Sequence, residues 1–149
     1  MQVFIPSPSL EGIAKSLDWK RLGKQRVECK QIIIASLCAR GGWRRHTAVR
    51  MWSPYVRFLC DYALTVCAEW KARGYEDNLA CFFKSVRKHV GELVIPHWWG
   101  DERLHASHRA ALLIKAEDKY LTTGNPDAYD WYIAQGWKET PTLDYVWVT

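Results

Sequence analysis

One carboxylate, Glu28, lies in a stretch of chain that is otherwise rich in lysine and arginine. Residues 18–31 read DWKRLGKQRVECKQ, and four of their polar side chains recur at steps of three and four: Arg21, Lys24, Glu28 and Gln31. A helix aligns such residues as a single polar stripe. A lone acid among cations could perform acid–base chemistry. The same spacing also describes a solvated Lys24–Glu28 pair, worth about 0.3–0.5 kcal/mol.

A nucleophile for such chemistry has to come from outside the common motifs. The sequence contains no Gly-rich phosphate loop, no nucleophile elbow and no HExxH zinc motif. The α-amine of Met1 is the candidate, because an α-amine is partly neutral at physiological pH. In that form it can attack C1′ of a sugar and form an imine.

Two further segments combine basic and aromatic residues. Trp43, Arg44, Arg45 and His46 are consecutive, a composition typical of a loop that contacts phosphates, although a merely solvated loop has it too. Residues 97–101 read HWWGD, and two adjacent tryptophans cannot both point to one side, so one of them should be partly exposed. The alternative is a hydrophobic plug over a helix bundle.

A third basic group, Arg87, Lys88 and His89, lies at the predicted end of a helix. At that position the positive charges interact favourably with the helix dipole, even without a ligand. The alternative interpretation is that these side chains contact a ligand.

Helices are predicted to position these residues. Asp18 is a suitable N-cap. The helix after it has an apolar face and is predicted to end at the glycine pair 41–42; its apolar residues are Leu22, Cys29, Ile32, Ile33 and Leu37. A shorter helix before it is predicted to begin after Ser9 and to run through Leu17.

Three more helices are predicted from capping residues and helix-ending signals: Ser53 to Gly74, Asp77 or Asn78 to Gly91, and Asp101 to about Glu117. Residues 129–133 are predicted to form a helical turn, and residues 1–5 and 145–148 short extended segments. The sequence therefore predicts one compact all-α domain over residues 1–149, with short extended ends.

Composition favours a soluble protein with an anionic partner. The chain has 149 residues, enough for one sizeable core, and a net charge of +5. Some of its nine tryptophans could be platforms on which bases stack. No run approaches the ~18 apolar residues that span a bilayer, and the N-terminus lacks signal-peptide features. We therefore expect a cytoplasmic protein without membrane association.

The cysteines predict neither a disulfide framework nor a metal site. There are five, an odd number, and each falls within a predicted helix. Cys60 and Cys67 share a helical face, and His105 and His108 are three residues apart, but neither pair has further ligands at the usual spacing. We expect no metal and no cofactor.

The segment RLGKQRVE, residues 21–28, carries a resemblance to a known family. The chain resembles the endonuclease V type of pyrimidine-dimer DNA glycosylases, with Leu22 and Glu28 at the positions of a leucine and of the catalytic glutamate six residues on. A looser match is Ile95-Pro96-His97, followed after a gap by a serine-started helix over residues 107–120 that carries basic residues. The resemblance implies a small all-α protein that acts on DNA.

The resemblance also implies a mechanism. In that family the N-terminal α-amine attacks C1′ of the damaged nucleotide, the base leaves, and the Schiff base can undergo β-elimination that nicks the strand. Met1 would be the nucleophile and Glu28 the acid–base residue. The partner would be duplex DNA with a damaged or modified base, with no obligate protein partner. From the resemblance or from composition, the side chains expected to contact nucleic acid are Arg21, Lys24, Arg26, Arg44, Arg45, His46, Trp98, Trp99, His105 and Arg109.

Two features depart from the family pattern. The family nucleophile is a small residue exposed by removal of the initiator methionine, whereas the bulky Gln2 should leave Met1 in place. That displaces the amine by about 3.3–3.6 Å along an extended chain. The basic residue expected directly after the nucleophile is missing, since Val3 and Phe4 are apolar.

Two other function classes therefore stay open. One is a basic helical module that binds nucleic acid without cutting it. The other is an enzyme on free nucleosides or nucleotides that uses Glu28, Arg21 and His105 around a small pocket.

Overall fold

The computed structural model describes residues 1–38, 41–117 and 126–148, and every regular element within these ranges is helical. The predicted all-α fold class is confirmed. The α-helices are α1 (Leu10–Ser16), α2 (Trp19–Leu37), α3 (Thr47–Trp52), α4 (Val56–Ala72), α5 (Ala80–His89), α6 (Glu102–Glu117) and α7 (Pro126–Ile133). Two short 3₁₀ helices, Gly42–Arg45 and Ser53–Tyr55, precede α3 and α4.

The predicted capping residues begin α1, α2 and α5. Their side-chain oxygens accept backbone N–H groups that have no partner inside the helix. The pairs are Ser9 with Gly12 at 3.1 Å, Asp18 with Arg21 at 3.4 Å, and Asp77 with Ala80 at 2.9 Å. Local sequence therefore determines where these helices start.

Two predicted boundaries were wrong. Helix α2 ends at Leu37, before the glycine pair, so Cys38 is its C-cap and lies outside the helix. Gly41 has a φ of +131°, a conformation that suits glycine, and it leads into the 3₁₀ helix Gly42–Arg45 instead of closing α2. Helix α4 begins at Val56, because Ser53–Tyr55 forms a 3₁₀ turn.

Helices α2 and α4 pack against each other, and one glycine permits a close approach. A Cβ atom on Gly23 would lie 2.8 Å from Cη2 of Trp70, closer than packed atoms allow. The indole is held in place: it stacks on Tyr75 with ring centroids 4.1 Å apart and donates its N–H to the Glu76 carbonyl. The Arg26 guanidinium lies 5.1 Å from the ring centroid. Gly23 is therefore needed for helix packing.

The N-terminal segment belongs to the core. Val3, Phe4 and Ile5 are buried, and their backbone bonds to side chains of α2 and α6. The C-terminal segment also contacts α6, where the Val146 N–H donates to Ser107 Oγ at 3.1 Å. Among the described residues, no helix is long and apolar enough to cross a membrane.

Candidate active site

A cavity of about 400 Å³ lies between α2 and the 3₁₀ helix Gly42–Arg45. Helix α2 contributes four of the nine lining residues, because residues three and four apart fall on one face. The lining combines the first residue of the chain, a carboxylate and an indole: Met1, Glu28, Gln31, Ile34, Ala35, Cys38, Gly41, Trp43 and Arg44. The amine-bearing residue and the carboxylate singled out from the sequence thus share one cavity.

Glu28 is buried in this wall, with 8% of its surface exposed. Its Oε1 lies 3.9 Å from Lys24 Nζ, at the outer limit for an ion pair. Its Oε2 is buried and has no hydrogen-bond partner within the described part of the chain. Buried polar atoms are normally paired, because an unpaired one costs free energy. Glu28 is therefore a buried carboxylate with an unpaired oxygen, and not simply one partner of a solvated surface pair.

The charges of Met1 and Glu28 act on one imidazole. Burial lowers the pKa of His46 below its ordinary value, the Met1 ammonium group lowers it further, and the Glu28 carboxylate opposes both. The Nδ1 atom of His46 accepts the Ala48 N–H at 3.1 Å and so caps α3. Only Nε2 of His46 is therefore left to contact a ligand.

A lysine that the sequence did not single out joins this charged group from α6. Burial lowers the pKa of Lys115, nearby Arg21 and Lys24 lower it further, and Glu28 opposes them. Arg21 is buried, and its guanidinium lies 5.9 Å from the ring centroid of Phe4. Cations from two helices therefore accompany Glu28.

The basic segment after α2 forms a second recess beside the cavity. Its volume is about 460 Å³, and its lining residues are Gly41, Arg44, Arg45 and Arg50. Gly41 and Arg44 line both spaces, so the two are contiguous. Trp43 is 61% exposed at the cavity. This arrangement could place phosphates on the arginines while a base stacks on the indole.

Two arginines predicted to contact nucleic acid are used inside the protein instead. Arg26 is buried and forms an ion pair with Asp77, Nε to Oδ1 at 2.8 Å. Arg109 forms ion pairs with Glu102 and Glu139. Both guanidinium groups are thus paired with acids of the protein itself, and contact of Arg26 and Arg109 with DNA stays a prediction.

Two other predicted contacts are buried. Trp98 is 2% exposed and packs edge-on against Trp52, with ring centroids 5.0 Å apart. His105 is fully buried and bonds to the Ile5 carbonyl. Neither side chain is exposed in this structure, and contact of Trp98 and His105 with DNA stays a prediction. Trp99 is partly exposed, which confirms the expectation for one of the pair, but it packs on Phe58 and lies outside the cavity lining.

Sequence reasoning missed Gln25 and Lys115 as parts of this region, whereas it had placed Arg50 with the basic loop, as the second recess does. A signal for Gln25 was present, because it lies between Leu22 and Cys29 on the apolar face of α2, where a polar side chain needs a buried partner. No comparable signal marked Lys115, whose neighbours Arg21 and Lys24 lie on another helix.

The arrangement is suited to amine chemistry. A neutral α-amine can attack an electrophilic sugar carbon, and a carboxylate beside it can accept and return the proton.

Among the described residues, no group of three or more histidine, cysteine or acidic side chains is placed to hold a metal ion.

Comparison with known proteins identifies a family. A family model described as pyrimidine dimer DNA glycosylase matches residues 1–83, more than half of the chain. The matched range contains Met1, Glu28 and Trp43, together with the three arginines of the second recess. Comparisons with curated proteins and with solved structures gave no significant match.

Proposed function

Because the chain belongs to the pyrimidine dimer DNA glycosylase family, we propose that it excises a damaged base from duplex DNA through an imine formed by the α-amine of Met1. Glu28 is the acid–base residue in this proposal. Membership of the family implies a DNA substrate, and the net charge of +5 agrees with a polyanionic partner.

The observation that carries the proposal is the shared cavity of Met1 and Glu28. A nucleophile and its proton acceptor must lie close to one position that a reacting carbon can occupy. The buried, unpartnered Oε2 of Glu28 provides an acceptor beside that position. The pKa of His46 responds to both charges, which supports their proximity.

In the first step, the neutral amine bonds to C1′ of the damaged nucleotide. The glycosidic C1′–N bond breaks, and its electron pair leaves with the base, which takes up a proton from solvent. Glu28 accepts a proton from the amine nitrogen and returns it to O4′ as the C1′–O4′ bond opens. The product is a protonated imine between Met1 and C1′, with Glu28 ionised again.

Strand cleavage follows as a second step in this proposal. A base removes a proton from C2′, the C3′–O bond breaks, and the phosphate leaves with that electron pair. The strand is then nicked, and the sugar remains as a conjugated imine. Water hydrolyses this imine and releases the amine of Met1.

The second recess and Trp43 hold the DNA. Arg44, Arg45 and Arg50 contact phosphates beside the lesion, and the exposed indole of Trp43 stacks on a displaced base. Extruding a nucleotide costs a few kcal/mol, least at a damaged base, and these contacts offset that cost.

The nucleophile in this proposal is the α-amine of an unprocessed Met1. The place of Met1 in the lining of the cavity beside Glu28 supports that choice. Intact-mass measurement of the purified protein establishes whether Met1 carries the free amine.

The test uses an ultraviolet-irradiated duplex and the same duplex without irradiation. The wild-type protein should cleave glycosidic bonds and nick strands only in the irradiated duplex. Transamination specific to the N-terminus, which converts the α-amine to a ketone and spares lysines, should abolish both activities. Salt-sensitive binding without any base release would instead identify a non-catalytic nucleic-acid-binding module and reject the proposal.

A further inference from the structure

Two histidines of α6 hold the backbone of Ile5. The Ile5 N–H donates to His108 Nδ1 at 3.0 Å, and His105 Nδ1 donates to the Ile5 carbonyl at 2.7 Å. The two histidines are three residues apart, so they lie on the same face of α6. Both are completely buried, so water does not compete for these bonds.

The bonding pattern gives the two imidazoles opposite tautomers. His105 Nε2 accepts the Gly100 N–H at 3.1 Å, so the proton of His105 is on Nδ1. His108 accepts at Nδ1, so its proton is on Nε2. Each ring is neutral, and together they recognise the donor and the acceptor of one peptide residue.

A side chain of α2 holds the residues before Ile5. The Oε1 atom of Gln25 accepts the Phe4 N–H at 2.8 Å, and Nε2 donates to the Gln2 carbonyl at 3.1 Å. Tyr62 of α4 donates its hydroxyl to the Phe4 carbonyl, with 2.7 Å between the oxygens. Side chains thus take the place of a neighbouring strand along residues 2–5.

Gln25 and Glu28 are also three residues apart, on α2, and project from the same side of that helix. The helical rise of about 1.5 Å per residue separates their backbone positions by roughly 4.5 Å along the axis. One rigid turn of helix therefore carries the carboxylate and the amide that bonds to Gln2, the residue directly after Met1. The same turn thus connects the carboxylate to the chain segment that bears the amine.

We infer that Gln25, His105 and His108 are positioning residues that hold the α-amine of Met1 in attacking position beside Glu28. This inference rests on the proposed function. An apolar side chain at position 25 would pack into the same face of α2, whereas a buried amide is stabilising only through the backbone groups that it binds. Placement of the amine is the advantage that those bonds give.

The test measures two quantities for each variant. One is the single-turnover rate of imine formation, trapped with borohydride at saturating abasic duplex. The other is the affinity for that duplex. Gln25→Met removes the bonds to Gln2 and Phe4 at similar volume, and Gln135→Met, at an exposed glutamine, is its matched control. His108→Leu removes the acceptor for Ile5, whereas His108→Asn retains an acceptor at the position of Nδ1. Tyr62→Phe is a milder change that leaves the ring in place.

Misplacing a reacting group by about 1 Å can reduce a rate by about 100-fold. We therefore expect Gln25→Met and His108→Leu to slow trapping at least about tenfold, with affinity for the duplex within about twofold of wild type. His108→Asn should recover most of the rate, and Gln135→Met should equal wild type. Hydrogen exchange at residues 3–5 should be faster in the slow variants.

Wild-type trapping rates in Gln25→Met, His108→Leu and Tyr62→Phe would overturn the positioning role and leave the proposed function intact. A rate loss that matches the loss of folded protein, with no recovery in His108→Asn, would also overturn it. Absence of trapping in the wild-type protein would reject the proposed function together with this inference. Circular dichroism on every variant supplies the folded fraction for these comparisons.

Discussion

Met1 and Glu28 line one cavity although they lie on different elements, the N-terminal segment and α2. Burial of Val3, Phe4 and Ile5 fixes the position of the N-terminal segment, and helix α2 fixes the position of the Glu28 carboxylate. The packing of the core therefore brings Met1 and Glu28, whose Oε2 has no partner among the described residues, to the same cavity.

Glu28→Gln should retain DNA binding and lose catalysis. The amide has the same shape, but it cannot accept and return the proton that the reaction moves. General acid–base catalysis is typically worth about 10²–10⁴-fold, so the single-turnover rate of base release should fall at least about 100-fold. Glu11→Gln, an exposed glutamate of α1, is the control and should react like wild type. A Glu28→Gln rate within about twofold of wild type would remove Glu28 from the mechanism.

Arg45→Ala and Arg50→Ala should weaken DNA binding in a salt-dependent way. Each phosphate contact contributes about 0.9 to the slope of log affinity against log salt concentration, so the double variant should lose nearly two from that slope. Fluorescence anisotropy with a labelled duplex over a salt series measures it. Arg103→Ala, an exposed arginine paired with Asp101, should leave the slope unchanged. An unaltered slope in the double variant would exclude the second recess as a phosphate site.

Trp43→Ala should weaken binding without changing the salt dependence. Stacking of a base on an aromatic side chain is worth about 1–3 kcal/mol, so affinity for an abasic or damaged duplex should fall about 5- to 150-fold. Trp147→Ala, which removes another exposed indole, is the matched control. Equal affinities for Trp43→Ala and wild type would show that the indole does not contact the DNA.

Stability should fall between pH 6.5 and pH 5 because of His108. Burial, with a contribution from His105, lowers the pKa of His108 to about 3. Below pH 6.5 the unfolded chain binds a proton that the folded protein does not, so the free energy of unfolding falls as pH decreases towards the folded-state pKa. The slope from this group approaches about 1.4 kcal/mol per pH unit.

Urea denaturation at a series of pH values measures this slope. His108→Asn should reduce the slope, and His89→Asn, at an exposed histidine, should preserve it. The remaining slope in His108→Asn is expected in part from His46, whose pKa is also lowered. An identical slope in wild type and His108→Asn would contradict a neutral, buried His108.

Gly23→Ala should destabilise the fold. The new Cβ would lie 2.8 Å from the Trp70 ring, and Trp70 is held by Tyr75 and by the Glu76 carbonyl. Overpacking of this kind costs about 1–3 kcal/mol, which exceeds the gain of about 1 kcal/mol in helix propensity. Gly91→Ala, with open space around its Cβ, is the control in the same urea experiment. A stabilised Gly23→Ala protein would contradict the described packing of α2 on α4.

The sequence predicted what depends on neighbouring residues. Capping by Ser9, Asp18 and Asp77 and the apolar face of α2 are properties of short segments, and they are confirmed. Asp77 for Arg26, Glu139 for Arg109 and the Ile5 carbonyl for His105 are partners that lie far away in sequence. An arginine in a basic helix looks the same in sequence whether it faces phosphate or an acid such as Asp77, contributed by another part of the fold.

The same difference between local and long-range contacts explains which residues of the candidate site were predicted. Glu28 was found because a helix places it in a local stripe, whereas its proximity to Met1 depends on how the N-terminal segment packs. Gln25 interrupts the apolar face of α2, which was a signal, but its partners are backbone groups of Gln2 and Phe4, which residue types do not identify. The end of α2 was misplaced because glycine serves both helix ends and loops, and here Gly41 belongs to the loop.

The identity of the residue that bonds to the sugar tests the central claim most directly. The wild-type protein is reduced with borohydride in the presence of an abasic duplex and then digested with nuclease and protease. Mass spectrometry of the peptides locates the residue that carries the added sugar. We predict the reduced sugar on the α-nitrogen of Met1. An adduct on a lysine such as Lys24 or Lys115, or no adduct at all, would contradict it.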